Sequence, residues 1–266
     1  SERTRKPFSF MLKGLRVLSD LNGKRFEDLA EPYKTKIEDK KFTVYVIKPS
    51  VPLAMVYDIF HRINTGGTQL TRQEIRNSFY IGQSTRLLKK LSEQPYFRMA
   101  IDDGISPKRM KDREAVLRYL AFRILNYQTD YKGDMDAFLG EAMMQINRME
   151  NEQINSLEKD FERVMRLTYE FFGKNNFRLP SGATRGRINL ALMESVSLFF
   201  ASHSDEFLQS NKAQILKNYE KLLDSKEAGR ENEDVLLYRD AIQFATGDRN
   251  RVIRRIELAA AILGAI

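Results

Sequence analysis

The chain has 266 residues with no cysteine and two histidines, which removes disulfides, thiol nucleophiles and thiolate zinc sites and leaves a Ser-His-Asp triad or a His-rich nuclease centre little to build on. Its net charge of +8 and pI near 9.5 favour an anionic partner, with nucleic acid first, although the charge is spread along the chain rather than blocked. At 31.0 kDa it can bury a sizeable core as one large domain or two intimate ones.

The β signal lies early, in Phe8 to Leu18 and above all in Phe42 to Ile47, which is β-branched and aromatic between Lys40-Lys41 and Lys48-Pro49. That pattern predicts a strand. Few partner strands exist to flank it, so the sheet is expected to be completed by an N-terminal segment outside this chain or by a partner subunit. Phe26 to Glu38 reads as a turn and a helix. Val56, Ile59, Phe60 and Ile63 recur at helical spacing and predict an amphipathic helix over Leu53 to Ile63. Asn64, Thr65, Gly66 and Gly67 end it. Thr71 and Glu74 form a capping box for the next helix, which buries Ile75 and Phe79 and ends near Gly82.

Beyond residue 83 the chain reads as helical. Arg86 to Ser92 is a short helix and Gln94 to Lys108 a loop. Asp112 to Asn126, Asp134 to Met149, Glu152 to Gly173, Arg187 to His203, Asp205 to Ser225, Asn232 to Ala245 and Asp248 to Leu263 follow as helices. Phe177 to Arg187, with a proline and two glycines, reads as a connector. No signal peptide or membrane span is visible, since the apolar tail Leu258 to Ile266 is too short to cross a bilayer, and the expected location is cytoplasmic.

The arginines between Phe60 and Arg76 are not required by this local structure. Arg72 lies in a first helical turn, where the dipole disfavours cations, and Arg76 follows at i+4 as a like charge. Beside a glycine loop rich in backbone N–H groups they suit a phosphate cradle. They suit equally a structural network neutralised by Glu74 and other carboxylates, and on the residues alone both readings stand. His61 lies one place off the apolar stripe with no carboxylate to orient it, and is read as structural rather than as a base. Asp102-Asp103 before Gly104 is read as a turn rather than a metal site.

The pattern F-x-R-I-N-T-G-G-x-x-L-x-x-Q-E-I-R-N from Phe60 to Asn77 resembles the signature of the ParB/sulfiredoxin-like domain found at the N-terminus of GmrSD-type, modification-dependent restriction systems. Leu12-Lys13-Gly14-Leu15 and Leu21-Asn22-Gly23-Lys24 extend the likeness over the first half of the chain, more loosely beyond. The D-G-Q-Q-R element that serves nucleotides in that family is missing, and the chain begins with Ser, so the expectation is the later half of that domain, residues 1–83, followed by a helical bundle, residues 84–266. The implied fold class is α+β, predominantly helical.

The resemblance implies a component of a restriction or anti-phage system that couples a nucleoside triphosphate, with room for a divalent metal, to DNA recognition or cleavage. Arg62, Asn64, Thr65, Gly66, Gly67, Gln73 and Arg76 would then face the phosphates. The chain itself shows no catalytic constellation, so enzymatic activity is left open and would need an upstream segment or partner chain. Arg185 and Arg187 on their loop, and Arg251, Arg254 and Arg255 on the last helix, are the candidates for contact with DNA phosphates. The alternative is a non-enzymatic DNA- or partner-binding helical module in which the arginines are structural.

Overall fold

A helix that is apolar all round belongs in the middle of a bundle, and Leu190–Ala201, the ninth α-helix, is such a segment, with nine of its positions buried. The computed structural model describes residues 10–44, 46–48, 51, 53–63, 69–181, 184–223 and 233–266. In chain order these form α1 (Glu31–Glu38), α2 (Leu53–Ile63), α3 (Arg72–Phe79), α4 (Gln83–Ser92), α5 (Pro95–Ile101), α6 (Lys111–Ile124), α7 (Met135–Arg148), α8 (Asn151–Phe172), β1 (Arg178–Ser181), β2 (Thr184–Ile188), α9, α10 (Asp205–Ser210), α11 (Lys212–Leu223), α12 (Glu233–Gln243) and α13 (Arg249–Leu263). The protein is predominantly helical, with one two-stranded antiparallel sheet among the described residues.

The chain divides into two units, Ser1–Val56 and Tyr57–Ile266, earlier than the change of character expected near residue 83. In the second unit α9 packs against α6, α8, α12 and α13. The long helix α8 turns Phe161 toward Phe97 and Tyr119, with ring centroids 5.6 and 5.4 Å apart, and Phe172 onto Tyr219, stacked at 3.8 Å. Such aromatic pairs add about 0.5–1.5 kcal/mol each beyond the area they bury. The break between α10 and α11 divides the single helix expected over Asp205 to Ser225. Helix α5 lies inside the segment read as a loop, started by Pro95 and ended by Asp102 in a left-handed conformation (φ 45°).

The first unit has little core. Among its described hydrophobic residues only Leu21 and Leu29 are buried. It is organised by backbone bonds, Leu12 N–H to Lys24 C=O at 2.9 Å and Gly23 N–H to Leu12 C=O at 2.8 Å, around an isolated bridge between Met11 and Arg25. The strand expected over Phe42 to Ile47 is not formed in its described residues, 42–44 and 46–47, which join no ladder. A strand exists only through its partner, and β propensity alone leaves Phe42, Val44 and Val46 exposed at 80, 74 and 82%.

Candidate nucleic-acid interface

The capping box ahead of α3 is formed as its sequence requires. Thr71 Oγ1 accepts from the Glu74 N–H at 3.2 Å, and the Glu74 carboxylate accepts from the Thr71 N–H at 2.7 Å. That backbone bond, with support from Arg109 at 3.0 Å, holds the Glu74 carboxyl below its ordinary pKa against the opposing effect of burial.

The box fixes the rotation of α3, and with it the fate of the motif's side chains. Gln73 and Arg76 are buried, at 0 and 1% exposure. Arg76 donates to Gln73 Oε1 at 3.0 Å and to the Asp136 carboxylate from α7, while Arg72 binds the other Asp136 oxygen at 2.6 Å. Asp136 therefore bridges the like-charge pair Arg72/Arg76 and offsets half of its charge. From Arg76 the charges continue inward. Glu114 is 3.8 Å away. Glu114 binds Arg118 at 3.2 Å, Arg118 binds Glu194 at 2.9 Å, and Glu194 binds Arg255 at 2.5 Å. Arg255 ends the ladder by donating to the Thr246 carbonyl at 2.6 Å. Burial works against the Arg118 charge, but Glu194 and Glu114 outweigh it and raise its pKa.

The ladder ties α3, α7, α6, α9 and α13 together through side chains that are mostly out of water. Four arginines (72, 76, 118, 255) against three carboxylates (136, 114, 194) leave one positive charge, and the outermost member, Arg72, is 66% exposed and can carry it to solvent. The ladder needs no bound anion to balance it. Removing one partner of such a buried pair costs about 3–5 kcal/mol, because the other charge is left uncompensated. Arg76 and Arg255 are thus held inside the protein, where no phosphate reaches them without displacing a carboxylate.

Of the other candidates, Arg62 lies at the surface paired with Asp58 at 3.0 Å, and Asn64, Thr65, Gly66 and Gly67 lie outside the described residues, as does the side chain of His61. Gln73 meets Arg76 but not Arg62. Arg251 is tied to Asp240, both to its carboxylate and to its carbonyl at 2.9 Å. Arg254 is exposed, so 251, 254 and 255 do not act as one cationic face. Arg254 lines a shallow depression of about 340 Å³ with Leu237, Ile253 and Leu258, where Glu257 partly offsets its charge.

The segment read as a connector is the β1–β2 hairpin. Its register pairs Arg178 with Ile188 and Pro180 with Arg185, with an irregularity between them. One residue of β1, Leu179, therefore faces two of β2, Gly186 and Arg187, which is a β-bulge. A Cβ on Gly186 would lie 2.0 Å from the Leu179 carbonyl oxygen, so the bulge requires glycine there. Paired residues share a face, so Arg178 and Arg185 lie on one side of the hairpin, and Arg187 is turned to the other.

On the first side Arg178 is buried at 7% exposure and donates to the carbonyls of Gly186 at 2.8 Å and Ile101 at 2.9 Å. Among the described residues no carboxylate forms an ion pair with it, and burial followed by the like charge of Arg185 lowers its pKa against the weaker opposing charge of Asp102. Arg185 pairs with Asp102, and this bond, with the more distant charges of Lys174 and Arg178, holds the Asp102 carboxyl below its usual range. On the other side Arg187 is exposed, and no ion pair or side-chain hydrogen bond holds it among the described residues. The sequence reading missed Lys174, the buried position of Arg178, and the ladder acids Asp136 and Glu194. The signal for the ladder was Glu194, a lone acid in an otherwise apolar helix, which cannot be buried unpaired.

Among the described residues no group of three or more His, Cys, Asp or Glu side chains could hold a metal ion, and no helix is long and apolar enough to cross a membrane. Comparison of the chain with protein-family models, with curated proteins and with solved structures found no match.

Proposed function

We propose that the chain is a nucleic-acid-binding helical module that contacts phosphates through the β1–β2 hairpin, in which the motif arginines build the fold rather than hold a nucleotide. The observation that carries this reading is the burial of Arg76 against Asp136, which leaves Arg76 engaged while Arg187 on the hairpin remains exposed. The net charge of +8 supplies the long-range attraction. The likeness of residues 60–77 to the GmrSD-type signature supports a place in a modification-dependent restriction or anti-phage system, with any nucleotide chemistry carried by groups outside the ladder.

The test is fluorescence anisotropy with a short labelled DNA duplex over a range of salt concentrations. Wild-type protein is expected to bind with an affinity that falls steeply with salt as counterions are released. Arg187→Ala is expected to weaken binding and to reduce the log–log salt slope by about 1, as for the loss of one phosphate contact. Salt-independent binding, or tight binding of a nucleoside triphosphate lost in Arg62→Ala with no affinity for DNA, would overturn it.

A second reading is favoured by the exposure of Phe42, Val44 and Val46. Apolar residues at alternate positions form one face of an extended segment, and a partner chain that adds a strand there would cover them. Replacing Val44 and Val46 with Thr then abolishes the association in sedimentation without changing the melting temperature; an unaltered complex removes this reading.

A further inference from the structure

The hairpin's inner face has an electrostatic imbalance that the fold does not use. Arg178 is more than nine-tenths buried, and its hydrogen-bond partners among the described residues are carbonyls, which carry partial charges and cannot neutralise it. Its Nε has no hydrogen-bond partner. Arg185, paired with Asp102, and the exposed Lys174, whose charge also acts on Asp102, add two further cations at the surface, against the carboxylates of Asp102 and the exposed Asp103. The turn that presents those acids is itself costly. Asp102 and Asp103 both take left-handed backbone conformations, φ 45° and 49°, which are strained for residues other than glycine. Gly104 follows because a Cβ there would lie 2.4 Å from the Arg178 guanidinium. Arg185 is thus held by an acid on a strained turn, over a buried cation that Asp102 reaches only at longer range and that has no direct ion pair among the described residues.

The geometry points to a phosphodiester-binding site formed by Arg185 and Lys174 above the fixed charge of Arg178, with Asp102 as an internal competitor that occupies Arg185 until a phosphate displaces it. This deepens the nucleic-acid reading and rests on it. A phosphate here meets a guanidinium fork suited to two of its oxygens. It also adds negative charge above Arg178, which has no direct ion pair among the described residues. Asp102 keeps Arg185 engaged when no phosphate is present, so non-specific affinity is set by the difference between the two partners.

The experiment uses the full chain and the labelled DNA duplex, with Asp102→Asn, Asp103→Asn, Lys174→Ala and Arg187→Ala variants. Asn tolerates left-handed backbone better than other non-glycine residues, so both substitutions are backbone-compatible. Asp102→Asn is expected to tighten binding about twofold to fivefold, the scale of one partly exposed ion pair. Asp103→Asn makes the same change in net charge without freeing Arg185, and is expected to give a smaller gain. Lys174→Ala is expected to weaken binding and to lower the salt slope by about 1. Equal gains from Asp102→Asn and Asp103→Asn, or an unchanged slope in Lys174→Ala, would overturn the proposal. If Asp102→Asn does not fold, exposed Lys174 still decides the matter. Wild-type binding that is lost in Arg187→Ala but indifferent to Asp102 and Lys174 sinks this inference alone, whereas no DNA binding by any form at low salt sinks the nucleic-acid reading with it.

Discussion

Glu194 sits at the centre of α9 with 2% exposure, between the guanidinium groups of Arg118 and Arg255. One carboxylate serving the buried Arg255 and the partly buried Arg118 cannot be removed without leaving both under-compensated. Glu194→Ala is therefore expected to destabilise the protein by about 3–5 kcal/mol, read as a lower midpoint in urea denaturation. A change below about 1 kcal/mol would mean that water enters the ladder and solvates the arginines. The ladder also shows why these arginines could not be assigned from sequence. Arg76 lies beside the apolar stripe of α3, and its partner Asp136 is 60 residues away. Spacing along one helix reports neighbours at i+3 and i+4, and says nothing of an acid that tertiary packing brings across from α7.

At the scale of elements, two local devices carry distinct expectations. The α3 capping box was legible because both of its bonds lie within four residues, and Thr71→Ala is expected to cost about 1 kcal/mol. Since the Thr71 N–H holds the folded Glu74 carboxyl below its ordinary pKa, its contribution is present above that ordinary value and is lost as pH falls through the lower, folded pKa. Urea midpoints measured from neutral to acidic pH should decline there, and Glu74→Gln should flatten that part of the profile; an identical profile in the variant would show that other carboxylates govern acid unfolding. The hairpin was not legible. Arg178-Leu179-Pro180-Ser181 lacks an alternating apolar pattern, and its proline and glycines signal a turn. What makes it a hairpin is Arg178, whose guanidinium reaches Gly186 across the pair and Ile101 on α5. Gly186→Ala is expected to force Leu179 away and lose the bulge. Nuclear Overhauser contacts across the Pro180–Arg185 pair should weaken, while the melting temperature falls far less than in the ladder variants.

At the scale of the whole molecule, burial is uneven. The helical part from Tyr57 onward holds nearly all of the described core, while Ser1–Val56 contributes Leu21 and Leu29. Amide exchange under native conditions should be slowest in α6, α8 and α9 and fast over residues 10–44; strong protection in the latter would reveal a partner or a packing that these residues do not make themselves. Helix positions were largely readable because amphipathic spacing survives into the packed state. The strand over Phe42 to Ile47 was not, because a strand's existence depends on a neighbour that its own sequence does not specify.

The most direct test of the central claim, that the motif's arginine holds the fold together, is the thermal melt of Arg76→Ala. With Arg76 at 1% exposure and engaged by Asp136 and Glu114, the account predicts a drop in melting temperature on the order of 10 °C, from about 3–5 kcal/mol lost in a chain of this size. An unchanged melting temperature together with loss of ligand binding would contradict it and return Arg76 to a binding role.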